Sequence, residues 1–503
     1  MSAGSRRFRV KNVAIIGAGP SGLAAAKFLL AEKAFTRIDV FEQRNHVGGL
    51  WKYTPETSGD GLFAIPQTNP QVGLEKPVWT IGEEAGREPT FLSPIYERLE
   101  TNIPKTLMAF SDKAFPEDVP LFPGHDTVQE YLEEYSKDVI SLIKFGTQVQ
   151  DVQLLESKTN EDSVVEEQWS VETLHLESGK TTKSTYHAVV VASGHFSTPH
   201  IPDIPGVSDW NAKYPGSISP SKYYRIPEAF AGQKVVVVGN SASGLDISSQ
   251  LSSFAKSPVL LSQKSESYPA GGFSQNANIE PNSQISRFNP QDKTIHFSNG
   301  RIEHNVDTIL FCTGYLYTMP FLQNLSPNPI GDGSRVEHTY QHLFYTPHPT
   351  LCFLVLPQKI IPFPLSEAQS SVIARVCSGR LSLPSQTEME KWEKDTIAEQ
   401  GEGGDFHTLK FPKDAEYINM LYDWAACAER REGLEGGGHG KLARRWGEWE
   451  FWARENFPGI RRAFVERGVG RRDVRGLWEL GFDFGKRHER MGLEQPEGQV
   501  TSA

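Results

Sequence analysis

Apolar positions in this chain fall into two patterns, and their order outlines an α/β fold. Short continuous runs have the length of strands buried on both faces of a parallel sheet. They are Val13-Ala14-Ile15-Ile16, Ala188-Val189-Val190-Val191-Ala192, Val235-Val236-Val237-Val238, and the stretch from Val306 through Ile309-Leu310-Phe311-Cys312. Each stops on small residues, and two of them pass straight into helix-forming runs, one over 23–30 and one after Gly244. Elsewhere the spacing is helical. Val128, Tyr131, Leu132, Tyr135 and Val139 predict a helix over 128–143, and Tyr96, Leu99 and Ile103 predict a helical turn broken at Pro104. A further helix is expected over 366–378, with Glu367 and Gln369 near its start. Two β-like segments, 168–175 and 183–192, flank a turn at 177–180, whereas 55–90 is rich in Pro, Gly, Thr and Glu and reads as irregular. Beyond about residue 390 the chain reads as helical and charged, interrupted by a glycine-rich flexible loop at 433–440; its tryptophans (Trp424, Trp446, Trp449, Trp452 and Trp478) are assigned to packing.

The first strand ends on Gly17-Ala18-Gly19-Pro20-Ser21-Gly22. Gly17 permits the tight strand-to-helix turn, Gly19 lets backbone approach a pyrophosphate, and Gly22 lets helix and strand pack closely. The helix start then offers free N–H groups and a positive dipole end. A bare match to this spacing is as often an ordinary turn. Here the run Arg37-Ile38-Asp39-Val40-Phe41 supplies a second strand ending on Glu42, placed about 20 residues on to accept hydrogen bonds from a ribose. Gly48-Gly49-Leu50-Trp51 would bring backbone close to a bulky ligand and wall it with apolar surface; the plainer reading is a surface turn with a core tryptophan.

The device recurs at Gly239-Asn240-Ser241-Ala242-Ser243-Gly244-Leu245-Asp246, with Ser241 in place of the middle glycine. A repeat kept for packing alone is the alternative to a second dinucleotide site. The next strand ends Ser262-Gln263-Lys264 with no acid, which favours the 2′-phosphate of NADPH over NADH, although one lysine can also be a surface charge. Pro199, Pro202 and Pro205 mark a connection between units. The expected architecture is two Rossmann-like dinucleotide-binding domains, a discontinuous one over 1–203 and 307–503 and an inserted one over 204–306, with a helical C-terminal part from about 390.

Composition narrows the function classes. A chain of 503 residues, 38% apolar and 22% charged, predicts two or three soluble domains. A net charge of −11 without a long basic run argues against nucleic acid. No run approaches the roughly 20 apolar residues of a membrane span, the end from 494 to 503 is polar, and Arg6, Arg7, Arg9 and Lys11 precede no secretory segment. Cys312, Cys352, Cys377 and Cys427 are far apart and read as buried, inert thiols in a cytoplasmic protein. No metal site and no acid–base triad is evident.

Together these motifs resemble the class B flavin-containing monooxygenases, of the soluble, dimethylaniline-monooxygenase-like kind of yeasts, fungi and bacteria. The resemblance runs from residue 10 to about 390. It rests on the two glycine loops, Glu42, Gly48-Gly49-Leu50-Trp51, Thr101-Asn102-Ile103-Pro104-Lys105, Asp307 with Cys312-Thr313-Gly314-Tyr315, and Pro362-Phe363-Pro364 with Glu367-Ala368-Gln369. It implies a glutathione-reductase-like FAD domain on the first loop, NADPH on the second, and cofactor contacts from Thr101, Asn102, Thr313, Gly314 and Gln369. It implies a cycle in which NADPH reduces FAD, O2 adds to give a C4a-(hydro)peroxyflavin, and a soft nucleophile (an amine, sulfide or thiol) takes one oxygen atom. FAD carries the hard chemistry while the protein orients it and excludes water. Asn102 matches the asparagine beside flavin and nicotinamide, its amide offering both a donor and an acceptor; taken alone it would be a turn or cap residue.

The family fingerprint between the loops is F-x-G-x-x-x-H-S-x-x followed by Tyr or Phe. Here Tyr214, Gly216, Ser221 and Tyr224 fit it, but Pro220 stands where histidine is expected, which puts the coupling of the two domains in doubt. The ending at Tyr224 leans towards heteroatom oxidation. A Baeyer–Villiger monooxygenase acting on a ketone, a disulfide reductase (which needs a cysteine pair near the flavin), and a non-oxygenating NADPH oxidase or redox sensor are the alternatives. The C-terminal stretch exceeds what two nucleotide domains need and is open to closing the pocket or forming a homodimer.

Overall fold

Continuous apolar runs pair side by side, as strands with no solvent face must. In the computed structural model, which describes residues 6–56, 63–81, 87–159, 164–264 and 276–486, Asn12–Ile16 lies between Ala188–Val191 and Arg37–Phe41, all parallel. Ile143–Lys144 extends this sheet on one side. Leu351–Phe353, Phe344–Tyr345 and Thr339–Tyr340 extend it on the other, so the chain returns late to complete its first sheet. The second sheet is also parallel, in the order Ile218–Pro220, Thr308–Phe311, Val235–Val238, Val259–Gln263 and Ile279–Ser283. Because Thr308–Phe311 sits inside this sheet, beside Val235–Val238, the inserted unit continues at least to Phe311. The boundary expected at 306 falls one strand short.

Lys180–Tyr186 and Ala188–Val191 replace the single strand expected over 183–192. The first is polar and exposed along most of its length, apolar only at Tyr186, and pairs antiparallel with Val164–His175, which also pairs with Thr147–Thr159. The second is apolar throughout and enters the parallel sheet; the change from polar to apolar residues at His187 is the division. Residues 96–103 form no helix, because Tyr96 and Leu99 pack into the core around Val235 and Leu245, whereas Ile103 packs with Leu107 into the core of the first sheet. Their spacing records two cores and not one helix face. The helix expected over 128–143 runs His125–Ser136 and gives way to a 3-10 turn at Ile140–Leu142.

Helix Pro20–Ala31 begins at the proline, whose fixed φ suits a first helical position. It packs on Pro362–Cys377, a helix buried almost along its whole length. Gln386–Gln400, Lys413–Ala426 and Glu448–Glu466 form the C-terminal layer. The stretch 433–440, expected as a flexible loop, is held: Arg375 and Arg380 both donate to the carbonyl of His439, and Arg380 also pairs with buried Glu32 at 2.6 Å. Within the irregular stretch 55–90, Val78–Ile81 pairs with Arg87–Thr90. Its residues 57–62 and 82–86, like the polar end 494–503, lie outside the described residues. Among the described residues no helix is long and apolar enough to cross a membrane, and no three His, Cys, Asp or Glu side chains gather as a metal site.

Candidate functional site

The first glycine loop is tight for reasons that can be measured. Gly17 has φ +102°, and a Cβ there would lie 2.7 Å from the carbonyl oxygen of Ala192. A Cβ on Gly22 would lie 1.9 Å from the carbonyl oxygen of Gly17. Gly49 meets the loop from the other side: its Cβ would stand 3.1 Å from the Cα of Gly19, and the Gly48 N–H donates to the Ala18 carbonyl at 3.0 Å. Glu42 is buried, and its two carboxylate oxygens accept the N–H groups of Ala18 (2.7 Å) and Arg44 (2.9 Å). It therefore fixes the loop as well as offering remaining lone pairs to a ribose. The Leu50 carbonyl accepts from the Ser93 hydroxyl, and the Trp51 ring meets Phe363 edge-on at 6.4 Å. Pro20 and Ser21 open the helix, which carries no side-chain cap, so its first N–H groups remain for an anion.

The second loop repeats the strand-to-helix turn of the first. Gly239 has φ +109° and a Cβ there would lie 2.4 Å from the Cys312 carbonyl oxygen, while a Cβ on Gly244 would lie 1.9 Å from that of Gly239. The flanking hydrogen bonds correspond: Gly17 to Phe41 and Gly239 to Ser262, Ala192 to Ile16 and Cys312 to Val238. Ser241 and Ser243 are exposed at the uncapped start of helix Ala242–Leu251. Thr313 donates its hydroxyl to the His200 carbonyl at 2.5 Å, leaving Gly314 exposed at φ +84° beside the loop. Lys264 is exposed just past Val259–Gln263. Both loops are cradles in which backbone comes close and a side chain would intrude, and both fit a dinucleotide diphosphate.

The remaining expected residues lie between or behind these cradles. Asp246 accepts from the Tyr96 hydroxyl at 2.5 Å and from Gln250 at 3.0 Å, and burial pushes its carboxyl up; it ties the second unit to residues 96–99. Thr101 is buried, donating its N–H to Pro123 and its hydroxyl to the Ile103 carbonyl. Asn102 is exposed at the point where the chain leaves the second core at Leu99 and enters the first at Ile103. Gln369 is fully buried: its amide oxygen accepts the Val355 N–H at 2.8 Å and its amide nitrogen donates to the Tyr417 hydroxyl. Both ends of that amide are engaged inside the protein. Beyond the Asn102 turn, a cleft of about 770 Å³ opens between helix Lys105–Met108 and the C-terminal segment, lined among others by Phe115, Trp449, Arg475 and Trp478.

One residue here escaped the sequence, and others make contacts that the sequence did not announce. Arg225 is buried and donates to the carbonyls of Glu56, Lys222 and Tyr224, binding the fingerprint segment to the loop after Trp51; the only signal was a cation in an aromatic run. Tyr224 packs against Tyr96 at 5.3 Å. Pro220 ends the edge strand Ile218–Pro220, where a missing N–H is tolerated. Glu367 accepts both the N–H and the hydroxyl of Ser111, and burial pushes its carboxyl up to about 7. Cys352 and Cys377, 25 residues apart in the chain, lie within hydrogen-bonding reach in the core, and burial pushes the Cys352 thiol up. Cys427, expected to be buried, is exposed.

A family model described as flavin-binding monooxygenase-like matches residues 78–278 and 277–434, and one described as an NAD(P)-binding Rossmann-like domain matches 15–66. Flavin-containing monooxygenase FMO GS-OX4 of Arabidopsis thaliana is 35% identical over 393 residues, 75% of this chain and 76% of its own. Flavin-containing monooxygenase ustF2 of Aspergillus flavus is 29% identical over 479 residues, 84% of this chain and 93% of its own. The solved structure of S-allyl-L-cysteine S-oxygenase from Allium sativum superimposes with a TM-score of 0.71 at 29% identity, covering 96% of this chain and 98% of that one. Two cradles of one geometry, matched over most of the chain by flavoenzymes, leave one assignment: the chain belongs to the flavin-binding monooxygenase family, with FAD and NADPH as its cofactors.

Proposed function

We propose that this enzyme uses NADPH and O2 to place one oxygen atom on the sulfur or nitrogen of a small soft nucleophile, with FAD on the first loop and NADPH on the second. The observation that carries this reading is Asn102, exposed where the chain crosses from the core of one cradle to that of the other. FAD, when bound, supplies the oxygen-activating chemistry and NADPH the electrons. The chain's own residues would bind and orient: Glu42 would hold a ribose, Lys264 a 2′-phosphate, and the Asn102 amide would offer a proton donor and an acceptor where the two cofactors would meet. Between the two heteroatoms sulfur is favoured, because the relative whose structure covers 96% of the chain is an S-oxygenase. A reducing, cytoplasmic setting is supported by Cys352 and Cys377, neighbours that are both free thiols.

The test is NADPH consumption by FAD-loaded protein against sulfides, thiols, amines and ketones, with product oxygenation and hydrogen peroxide measured together. Sulfides or amines should raise oxygenated product while peroxide falls. A response to ketones alone, or peroxide equal to NADPH consumed with every compound, would overturn the assignment.

A further inference from the structure

We propose that Glu100 is a positioning residue for Asn102, and that Arg461 and Arg471 of the C-terminal segment hold it so that reduced cofactor delivers oxygen to substrate and not to peroxide. This rests on the role given to Asn102 above. Glu100 directly precedes the Thr101-Asn102 turn. Both of its carboxylate oxygens lie 3.0 Å from Nε of Arg471, and Arg461 Nη2 approaches the same carboxylate at 3.5 Å. Arg461 comes from helix Glu448–Glu466 with its guanidinium over the rings of Phe122 (4.9 Å) and Phe464 (5.4 Å). Its Nη1 is buried with no hydrogen-bond partner among the described residues. Leaving a charged donor unmet in the interior is costly, so this arginine is poorly explained as a stability device. Its charge is felt by the carboxylates of both Glu100, beside the Asn102 turn, and Asp246, on the helix of the second loop.

The same segment grips the turn from a second side. The Thr101 N–H donates to the Pro123 carbonyl at 2.9 Å and the Lys105 N–H to that of Leu121 at 2.8 Å. Leu121 in turn donates its own N–H to the Val474 carbonyl at 2.8 Å, and Leu121 and Phe122 share an apolar cluster with Ile460, Phe464 and Val474. The turn carrying Asn102 therefore hangs on 121–123, and 121–123 hangs on 460–474. Displacing an aligned group by a fraction of an ångström is enough to lose orientation-dependent rate. The C-terminal segment, which neither cradle requires, acquires a task in the oxygen-transfer step.

The experiment uses the FAD-loaded full chain with Glu100→Gln, Arg471→Gln, Asn102→Ala and the pairwise doubles with Asn102→Ala. Amide hydrogen exchange should quicken about tenfold in peptides covering 99–108 for Glu100→Gln and Arg471→Gln. The fraction of NADPH electrons recovered as peroxide should rise several-fold, while the anaerobic rate of cofactor reduction and the KM for NADPH stay within about twofold of wild type. With Asn102→Ala already present, neither variant should add to the peroxide fraction, since residues acting as one unit are not additive. An equal rise with and without Asn102 would overturn the inference, as would unchanged exchange and unchanged peroxide. If Asn102→Ala itself leaves the peroxide fraction alone, the reading of the site fails instead. Arg471 is 34% exposed at its side chain, so its variant carries the comparison if Glu100→Gln does not fold.

Discussion

Two glycines of identical geometry allow the two cofactor assignments to be separated with one methyl group each. Gly22→Ala puts a Cβ 1.9 Å from the Gly17 carbonyl oxygen, and Gly244→Ala puts one 1.9 Å from that of Gly239. Ordinary contact begins near 3.4 Å, so helix and loop must part by about 1.5 Å in a close-packed interior. Overpacking of this kind costs about 1–3 kcal/mol. If the loop absorbs the movement, that cost appears as cofactor affinity, at roughly tenfold per 1.4 kcal/mol. Gly22→Ala should therefore purify with less than one FAD per chain, measured from the flavin absorbance of the denatured protein. Gly244→Ala should keep its full FAD and its reduction by dithionite, but need about 10- to 100-fold more NADPH for half-maximal reduction. Full FAD in Gly22→Ala, or an unchanged NADPH requirement in Gly244→Ala, would refute the reasoning.

Three further outcomes follow from charges. Lys264→Glu replaces an exposed cation with an acid at the end of Val259–Gln263, and should shift the NADPH-to-NADH ratio of kcat/KM by about tenfold towards NADH; an unchanged ratio would remove Lys264 from the site. His342 and His407 meet Nδ1 to Nδ1 at 3.0 Å, and burial pushes both below 6.5, His342 to about 3. The unfolded chain takes up protons below 6.5 that the folded one refuses, so their contribution is present above that pH and lost on acidification; His342→Gln should flatten the slope of unfolding free energy against pH below 6.5. Glu367 is the opposite case: its proton is kept to about 7 in the fold but lost near 4.5 in the unfolded chain, so stability falls as pH rises through that window by up to about 3 kcal/mol. Denaturant titrations at both ends of the window should lose this difference in Glu367→Gln.

What the sequence made legible was local. A positive φ and a carbonyl within 3 Å leave only glycine at Gly17 and Gly239, so the loops and the strands feeding them could be read directly. Partnership between distant strands could not. The run Ile309-Leu310-Phe311 announces burial but not which sheet buries it, and the answer, beside Val235–Val238, lies in register. Tyr96, Leu99 and Ile103 mimic a helix because two cores happen to take side chains at that spacing. Arg471 and Glu100 are 371 residues apart, and nothing local to either announces the pair. Resemblance puts Gln369 at the cofactor, and no property of one glutamine in a helix indicates that its amide is held by Val355 and Tyr417.

The histidine absent at Pro220 raised doubt about how the two units communicate, and the structure places that task on other residues. Proline at the end of an edge strand forfeits no ladder hydrogen bond. Five residues on, Arg225 donates to carbonyls on both sides of the boundary, Glu56 in the first unit and Lys222 and Tyr224 in the second. Tyr96 reaches across the same boundary twice, stacking its edge on Tyr224 and donating its hydroxyl to Asp246 on the second loop's own helix. A buried guanidinium with four carbonyl partners resists displacement more strongly than one neutral imidazole would, because an unpaired buried charge is far costlier than an unpaired neutral group. The departure from the family fingerprint therefore leaves the units joined, and the junction runs through 93–102, the same stretch that presents Asn102 between the two cradles.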